Sequence, residues 1–564
     1  MTQLRLRRTD PHARPIRLGA DAVTIGRHPS NLIPITDEKA SRKHCVIQAD
    51  GVGGYVLRDL GSRNGTRLNG FPITEAPLAP GDIIEIGHTE FFIEEAQGEE
   101  ESESDASQHH HRAGSQNEAG ASQSGAAAGN GRSRKHSKEK TPEWVRDIVR
   151  VLRGLAPRDA PLPEIELVSA DGKTSTALAG DSEGPNAMRL LLQTASKSRA
   201  TDIHLEPKPD LAQARMRIDG QMVWITDLPK RVGELVCGLI RTVCQMKAAA
   251  TDAVLDGHFS ARFPDRRVEY RASFTPTMQG AKLVVRVLDT RGIPNSINEL
   301  GLAAYMEDRI RKTCDQSQGM LLSCGPTGSG KTTTLYNCLR SVDREKKNVI
   351  TIEDPVEYQL DGCTQIPINE KRGNTFHSML RSVLRQDPDV ILLGEIRDEE
   401  TARTAMQAAM TGHLVFSTLH AKDSISAVFR LLDLKVEPYL VANALELILA
   451  QRLVRVLCDT CKRPVPVKPG QATRIGRFLG GSSTVYTPVG CKACLKTGYR
   501  GRMALFELLE FNDDLRDVIL TNQSIHAMRK VIEQGLFTTL IQSGWKLAAA
   551  GSTSLEEVDR VAGS

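Results

Sequence analysis

The chain has 564 residues, of which 40% are hydrophobic and 25% charged, and its 73 basic and 69 acidic residues leave a formal net charge of +4. This length exceeds what one hydrophobic core supports and suggests about three or four domains. The near-neutral charge does not favour a dedicated nucleic-acid binder, so no nucleic acid is expected as a partner. No signal peptide and no run of roughly 18 apolar residues is present, which predicts a cytoplasmic protein that reaches a membrane through partners.

The composition changes sharply along the first quarter of the chain. Within residues 1–96, short β-rich runs such as Ala22-Val23-Thr24-Ile25 alternate with turn residues, which predicts an all-β sandwich. Residues 97–140 are polar with almost no large apolar side chain, which predicts a disordered linker. The linker contains His109-His110-His111, which we interpret as a solvated polar tract, with metal binding as the alternative.

The remainder of the chain has the pattern of mixed α/β domains. Helical spacing over residues 142–155 predicts a helix, within a connector over residues 141–184 that also holds short β segments. From residue 319 to about residue 457, apolar strand-like runs alternate with helical segments, which indicates a parallel α/β sheet.

A glycine-rich loop lies between an apolar strand and a helix in this region. Backbone N–H groups of such a loop can surround phosphates, Lys331 can reach the β- and γ-phosphates, and the Thr332 hydroxyl can ligate Mg²⁺. A chance glycine turn is the alternative, disfavoured by the complete pattern and its flanks. The predicted nucleotide-binding residues are Gly325, Pro326, Thr327, Gly328, Ser329, Gly330, Lys331, Thr332 and Thr333.

Three later strand-like runs end in side chains suited to the same site. They lead to Glu353, Glu395 and His420, and the carboxyl ends of parallel strands are where open α/β sheets bind ligands. Carboxylates there can order Mg²⁺ and the attacking water, and a histidine can sense the γ-phosphate. Taken singly, each side chain is equally compatible with a buried ion pair or a strand cap.

Polar clusters between the strands of the N-terminal domain suggest a second site. The clusters are Gly26-Arg27, Ser41-Arg42-Lys43-His44 and Ser62-Arg63-Asn64-Gly65-Thr66. Arginine and serine offer donors to a phosphate, and asparagine can hold a peptide backbone. For a single cluster the simpler interpretation holds, since Asn64-Gly65 is also a common hairpin turn.

In this order the clusters resemble the forkhead-associated (FHA) domain, a reader of phosphothreonine peptides. The resemblance covers about residues 3–95. It implies that Arg27, Ser41 and, as a further candidate, Arg63 meet the phosphate. It also implies that Asn64 binds the peptide backbone and that His44 braces the loop.

The second half resembles the secretion ATPase family of type II secretion and type IV pilus assembly. The matching blocks, besides the glycine-rich loop, are ATDIHLEP (200–207), RMRIDG (215–220), IEDPVEY (352–358), GEIRDEETA (394–402) and TGHLVFSTLH (411–420). The resemblance makes Glu353 the candidate general base and Glu395 the Walker B acid. His413 and His420 become the His-box residues, so the predicted catalytic set is completed by Lys331.

The family also implies a domain order and an assembly. Residues 185–295 would form a small PAS-like α/β domain, residues 296–454 a RecA-like ATPase domain, and residues 506–564 C-terminal helices. The ring is usually a hexamer, in which the small domain lends arginines to a neighbour's nucleotide. The candidates for this role in trans are Arg215, Arg217, Arg271 and Arg286.

Two Cys-x-x-Cys pairs occur near the C-terminus. Four thiolates at such spacing can hold a structural Zn²⁺, with a redox dithiol as the alternative for a single pair. The zinc ligands are predicted to be Cys458, Cys461, Cys491 and Cys494, within an insertion over residues 455–505. Assembly ATPases of the family carry this insertion and retraction motors characteristically lack it, so the resemblance favours an assembly or secretion motor.

The predicted function is an ATP-hydrolysing motor for pilus or pseudopilus assembly or type II secretion. The implied partners are other copies of the chain, an inner-membrane platform protein that places the motor at the inner face of the cytoplasmic membrane, and a phosphothreonine protein bound by the FHA domain. That phosphothreonine could also lie in the linker or on a neighbouring subunit. Two other classes stay open, a regulatory module that binds nucleotide without useful turnover and a DNA-translocating ATPase.

Overall fold

The computed structural model describes residues 4–8, 16–19, 21–50, 54–69, 71–95, 142–155, 162–180, 182–246 and 253–563. The chain divides into two compact units, Met1–Glu139 and Lys140–Ser564. The predicted disordered linker over residues 97–140, with its histidine run, lies outside the described residues. Across the described ranges, no helix combines the length and apolar character that a membrane span requires.

The first unit contains a six-stranded and a five-stranded sheet that enclose one apolar core. Side chains alternate between the core and the surface, as in Ile83–Ile86, where Ile84 and Ile86 are fully buried. The predicted all-β sandwich is confirmed. Its strands are β1 Leu4–Arg8, β2 Ile16–Arg17, β3 Val23–Gly26, β4 Ile33–Pro34, β5 Cys45–Ala49, β6 Tyr55–Asp59, β7 Thr66–Leu68, β8 Phe71–Ile73, β9 Glu75–Leu78, β10 Ile83–Ile86 and β11 Thr89–Glu95.

The second unit begins with an eight-stranded antiparallel sheet in the order β13-β12-β17-β18-β19-β14-β15-β16. Strand β15 alternates strictly, so Met216 is buried while Arg215 and Arg217 lie on the other face. The elements are α1 Glu143–Gly154, β12 Glu166–Val168, β13 Thr174–Ser175, α2 Glu183–Ser198, β14 Asp202–Pro207, β15 Leu211–Ile218, β16 Gln221–Pro229, α3 Lys230–Val243, β17 Leu255–Phe263, β18 Arg266–Thr277 and β19 Gly280–Leu288.

A seven-stranded sheet follows in the order β22-β21-β23-β24-β20-β25-β28, in which β28 spans Tyr499–Glu510. The pairs from β22 to β25 are parallel, and β28 closes the sheet antiparallel to β25. Apolar clusters cover both faces, which explains why strands such as β20 are buried throughout and largely apolar. The elements up to β25 are α4 Ala304–Asp315, β20 Gly319–Cys324, α5 Lys331–Ser341, β21 Val349–Glu353, β22 Thr364–Pro367, α6 Phe376–Val383, β23 Val390–Leu393, α7 Glu399–Met410, β24 Leu414–Leu419, α8 Ser424–Asp433, α9 Pro438–Ala444 and β25 Leu445–Leu457.

The C-terminal part extends β25 and β28 into a ribbon that leads to the cysteine pairs. Glu507 on β28 accepts hydrogen bonds from the backbone N–H groups of Ser424 and Leu540, so it caps the first turns of two helices. The remaining elements are β26 Arg463–Pro466, α10 Pro469–Ile475, β27 Thr484–Thr487, β28 Tyr499–Glu510, α11 Asp513–Thr521, α12 Ile525–Ile532, α13 Leu540–Ala549 and α14 Leu555–Ala562.

A buried ion pair fastens α14 to the ribbon. Glu557 is 1% exposed and accepts hydrogen bonds from the Arg455 guanidinium at 2.6 Å and from Arg560 at 2.6 and 2.7 Å. Although burial by itself would raise the pKa of Glu557, the bonds from Arg560 and Arg455 lower it to about 2. The folded state therefore favours the ionised carboxylate.

We predict that Glu557→Gln destabilises this region by about 3–5 kcal/mol, because it leaves the Arg455 charge buried without a carboxylate. The wild-type pair is fully stabilising above the ordinary pKa of 4.5 and loses its contribution as the pH falls toward 2. Thermal melts of the full chain should therefore show a lower Tm for the variant than for the wild type at pH 7. The difference between the two Tm values should become smaller toward pH 3. Glu556→Gln, at the exposed neighbouring residue, provides the control. Equal Tm values of the two variants at pH 7 would contradict the prediction.

Candidate functional site

The glycine-rich loop connects β20 to α5 at the carboxyl edge of the seven-stranded sheet. Gly325, Gly328 and Gly330 have φ angles of 153°, 76° and 90°, which side-chain-bearing residues rarely adopt. A Cβ atom on Gly325 would also lie 2.5 Å from the carbonyl oxygen of Gln451. The chain therefore requires glycine to bring these backbone N–H groups around an anion at the start of a helix.

Lys331 is the first residue of α5 and folds back over the loop. Its Nζ donates to the carbonyl oxygens of Gly325 at 2.9 Å and Pro326 at 3.2 Å, and the residue is 9% exposed. Burial lowers the pKa of Lys331, and the nearby charge of Glu395 opposes this shift. The ammonium can exchange its carbonyl partners for phosphate oxygens, with the half-buried Thr332 and Thr333 next to it on the helix.

Gln451 braces the loop from the neighbouring strand. Its Nε2 donates to the carbonyl oxygen of Ser329 at 2.7 Å, and its Oε1 accepts from the Ser323 hydroxyl at 3.3 Å. The residue is 1% exposed and lies on β25. The sequence did not predict this role, and its one signal was a single amide within a mostly apolar strand.

Glu395 follows β23 and reaches the same edge of the sheet. Its Oε2 lies 3.3 Å from Nε2 of His420, and its Oε1 pairs with Arg397. Arg397 also lies 3.6 Å from Asp354, the residue after β21. The structure therefore gathers the predicted Glu395 and His420 beside the loop, and it adds Arg397, to which sequence analysis gave no role.

His413 lies at the other end of the strand that leads to His420. It precedes the six-residue β24, whereas His420 follows it, and six strand residues span about 20 Å. Its ring Nδ1 lies 3.0 Å from the carbonyl oxygen of Ala408. The structure does not bring His413 to the edge that holds the glycine-rich loop of the same chain.

Glu353 ends β21 and is 4% exposed. Its carboxylate accepts hydrogen bonds from the hydroxyls of Tyr336 and Thr351 and from the side-chain amide of Gln365. The predicted general base is thus enclosed by donors at the same edge of the sheet.

The candidate arginines occupy one face of the eight-stranded sheet. Strand pairing aligns Arg217, Asp202, Arg286 and Arg271 in a single row across β15, β14, β19 and β18. Asp202 lies 3.6 Å from Nε of Arg217 and 3.3 Å from Nε of Arg286. Asp202, Arg271, Arg286 and His258 line a cavity of about 560 Å³ on this face.

Three of the four arginines have further partners within their own chain. Arg215 forms a 2.7 Å bond with Glu206, and Arg217 donates at 3.1 Å to the carbonyl oxygen of Gly220. Arg271 donates at 2.8 Å to the carbonyl oxygen of Val356, three residues after β21. The side chain of Arg286 is 63% exposed.

The four predicted zinc ligands form one compact cluster. Their Sγ atoms all lie within 4.8 Å of one another, and three of the separations are 3.8, 3.8 and 3.9 Å. A tetrahedron with Zn–S bonds of about 2.3 Å has S···S edges of about 3.8 Å. Backbone N–H groups of Gly490 and Gly498 also donate to the sulfurs of Cys461 and Cys494. The donor set fits a four-thiolate zinc site.

The three loop clusters of the first unit meet at one end of the sandwich. The Ser41 hydroxyl accepts from the N–H of Arg63 at 3.0 Å, and the Arg27 N–H donates to the carbonyl oxygen of Ser41 at 2.9 Å. Asn64 donates from its side chain to the carbonyl oxygen of Lys39 at 2.8 Å. The backbones of the exposed Arg27 and Arg63 therefore both contact the half-buried Ser41.

His44 lies beneath these loops and is fully buried. Its Nδ1 accepts from the N–H of Ser41 at 3.0 Å, so Nε2 carries the ring proton and faces the carbonyl oxygen of Gly65 at 3.2 Å. The ring connects the Ser41 loop to the Asn64-Gly65 loop, as a brace between the loops requires.

The parallel sheet with its glycine-rich loop defines the class of P-loop nucleoside triphosphatases, joined here to an N-terminal β-sandwich. Sequence profiles give the particular families. The profile of the type II/IV secretion system protein family matches residues 179–560, and that of the FHA domain matches residues 23–87. The chain therefore belongs to the type II/IV secretion system protein family, and it is an ATPase of that family with an N-terminal FHA domain.

Individual relatives agree with this assignment. The type II secretion system protein E of Pectobacterium carotovorum subsp. carotovorum is 39% identical over 386 residues, which cover 68% of this chain and 77% of that protein. The type IV pilus assembly ATPase PilB of Myxococcus xanthus is 38% identical over 389 residues, covering 67% and 68%. The ATPase DotB of Legionella pneumophila shares the fold, with a TM-score of 0.52, 22% identity, and coverage of 68% of this chain and 97% of DotB.

Proposed function

We propose that this ATPase powers pilus or pseudopilus assembly or type II secretion, and that its FHA domain recruits or regulates it through phosphothreonine. The proposal rests on one observation, which is that the glycine-rich loop, Glu395 and His420 lie together at one edge of the sheet. Relatives at 38–39% identity include a type II secretion system protein and a type IV pilus assembly ATPase, so the proposal covers both machines. An inner-membrane platform protein is the proposed partner that brings the motor to the cytoplasmic membrane.

Each side chain at the edge has a distinct proposed role. Lys331 binds the β- and γ-phosphates, and Thr332 and Glu395 are the residues that would hold Mg²⁺, which supplies charge neutralisation at the phosphates when bound. His420, paired with Glu395, senses the γ-phosphate. Glu353 is the proposed general base for the attacking water.

The arginine row supports a ring in which one subunit completes the site of the next, and we propose a hexamer. Arg286 is the foremost candidate for contact in trans, because its side chain is 63% exposed and its partner Asp202 is shared with Arg217. Arg271 is engaged with Val356 of its own motor domain. Arg215 is paired with Glu206, so both would have to give up contacts to act in trans.

The cysteine cluster is proposed to hold one structural Zn²⁺. All four ligands lie between β25 and β28, and this segment and the start of β28 contact both neighbouring regions. The N–H of Gly501 donates to Asp219 of the small domain, and Lys462 donates to the carbonyl oxygen of Gly551 before α14. Zinc would fix the short segments that make these contacts.

The FHA domain is proposed to bind a phosphothreonine on another protein or another subunit. Arg27, Ser41 and Arg63 supply donors for the phosphate, and Asn64 is placed for the peptide backbone. Residues 97–140 contain no threonine, which removes the linker itself as the source of the phosphothreonine.

We predict that Glu395→Gln abolishes Mg²⁺-dependent ATP turnover by at least about 100-fold while nucleotide binding survives, because the phosphate loop is intact and only the carboxylate charge is lost. Lys331→Ala should lose both ATP turnover and nucleotide binding. Steady-state turnover and titration with a fluorescent ATP analogue separate the two effects. Glu400→Gln, an exposed carboxylate on α7, serves as the matched control.

Wild-type protein that binds ATP but does not turn it over would support the regulatory alternative and contradict the motor. Turnover that Glu395→Gln and Lys331→Ala both leave unchanged would remove the proposed site altogether.

For zinc, we predict one bound equivalent per full-length chain by elemental analysis. Cys461→Ser or Cys491→Ser should release it and lower the Tm markedly, since a structural site of this kind contributes on the order of 10 kcal/mol. Cys363→Ser, outside the cluster, should retain the metal. A metal-free protein that forms disulfides reversibly between these cysteines would instead indicate a redox dithiol.

For the FHA domain, we predict that full-length chain binds phosphothreonine peptides and that Arg27→Ala weakens this binding at least about tenfold, because a charge-assisted bond to phosphate is lost. Calorimetric titration with an oriented phosphopeptide pool followed by single peptides measures it. Arg58→Ala, which removes an exposed pair with Glu75 on the sheet, is the matched control. Equal affinities of the two variants would count against phosphopeptide recognition at these loops.

A further inference from the structure

The Glu353 carboxylate is held by donors from three segments of the motor domain. The Tyr336 hydroxyl of α5 donates to Oε2. Thr351, on the same strand as Glu353, donates to Oε1 at 2.6 Å, and Gln365 of β22 donates to Oε1 at 3.2 Å. A carboxylate buried this deeply is stabilised only when such donors replace the water it has lost.

Tyr336 differs from the other two donors in where it is attached. Thr351 and Gln365 belong to the paired strands β21 and β22, so they move with the sheet. Tyr336 belongs to α5, five residues after Lys331. Among the described residues, it is the donor that connects Glu353 to the phosphate-binding helix.

The Tyr336 ring has little freedom to turn away from Glu353. It is fully buried, and the Tyr358 ring packs edge-on against it at a centroid distance of 4.7 Å. Gln365 donates to the Tyr336 oxygen at 3.3 Å as well as to Glu353, so the three side chains form a closed network. Networks in which every member is satisfied define a single geometry.

The chemistry of the pair keeps this bond in place at neutral pH. Burial and the neighbouring Glu353 carboxylate raise the pKa of Tyr336 far above its ordinary range. The phenol therefore remains protonated, so it can donate a hydrogen bond throughout the pH range in which an ATPase operates.

We propose that Tyr336 is a positioning residue for hydrolysis, which sets the Glu353 carboxylate relative to the helix that binds the phosphates. This inference rests on the proposed role of Glu353 as general base. A base must lie within hydrogen-bonding reach of the attacking water, and small displacements of such a group are costly.

The test uses Tyr336→Phe in the full chain. Turnover at saturating ATP should fall about 10- to 100-fold, while the Kd for a non-hydrolysable ATP analogue stays within about twofold, because the ring and the phosphate loop are preserved. Tyr358→Phe is the matched control, since it also removes a buried hydroxyl from this ring pair but its hydroxyl is not one of the donors to Glu353. A kcat equal to that of the control overturns the inference, as does a rise in Kd that accounts for the loss.

A double-mutant cycle shows whether Tyr336 acts through Glu353. In a Glu353→Gln background, Tyr336→Phe should cause no further loss of turnover, because the group it positions is already gone. Additive losses overturn the inference and leave Glu353 as the base. Wild-type turnover by Glu353→Gln overturns the base assignment and the inference together, so the two failures are distinguishable.

If Tyr336→Phe melts well below the control, the hydroxyl can be altered without removing it. Incorporation of 3-fluorotyrosine at residue 336 keeps the shape and makes the phenol a stronger donor. The pH profile of kcat should then shift relative to wild type while the Kd for the analogue is unchanged. An unshifted profile overturns the inference.

Discussion

Strand β20 pairs in parallel with β24 on one side and β25 on the other, and the parallel run continues to β23, β21 and β22. Because parallel strands present their carboxyl ends at the same edge, the segments after β20, β23 and β24 must lie together. Those segments carry the glycine-rich loop, Glu395 and His420. The same polarity sends His413 to the opposite edge, although it belongs to the same short motif as His420.

Strand β25 connects this edge of the sheet to the C-terminal part of the chain. At the level of the loop it presents Gln451, and further along it presents Arg455, which is paired with Glu557 of α14. It then ends one residue before Cys458, the first ligand of the cysteine cluster. Strand β25 is paired with β28 along this length, with a register shift between Arg455 and Leu457, so one two-stranded ribbon links the loop, the C-terminal helices and the cysteine cluster.

The features that sequence reasoning predicted correctly are those encoded locally. Short β-rich runs separated by turn residues predicted the β-sandwich, and the glycine-rich pattern with its flanks predicted a loop between a strand and a helix, which are β20 and α5. Gln451 and Tyr336 could not be found in the same way, because their roles depend on partners 122 residues away in Ser329 and 17 residues away in Glu353. In the sequence, Gln451 is one residue of a strand and Tyr336 is one residue of a helix, and nothing local marks either side chain as functional. Only packing shows that their polar atoms have specific partners.

The small domain and the nucleotide edge are mechanically connected within one chain. Arg271 binds the carbonyl oxygen of Val356, two residues after Asp354, and Asp354 pairs through Arg397 with Glu395. One series of contacts therefore joins the small domain to the segment that follows Glu353 and to the ion pairs around Glu395. In the proposed ring, a rotation of the small domain that brings its arginine row to a neighbour's nucleotide would also act on this series of contacts within its own chain.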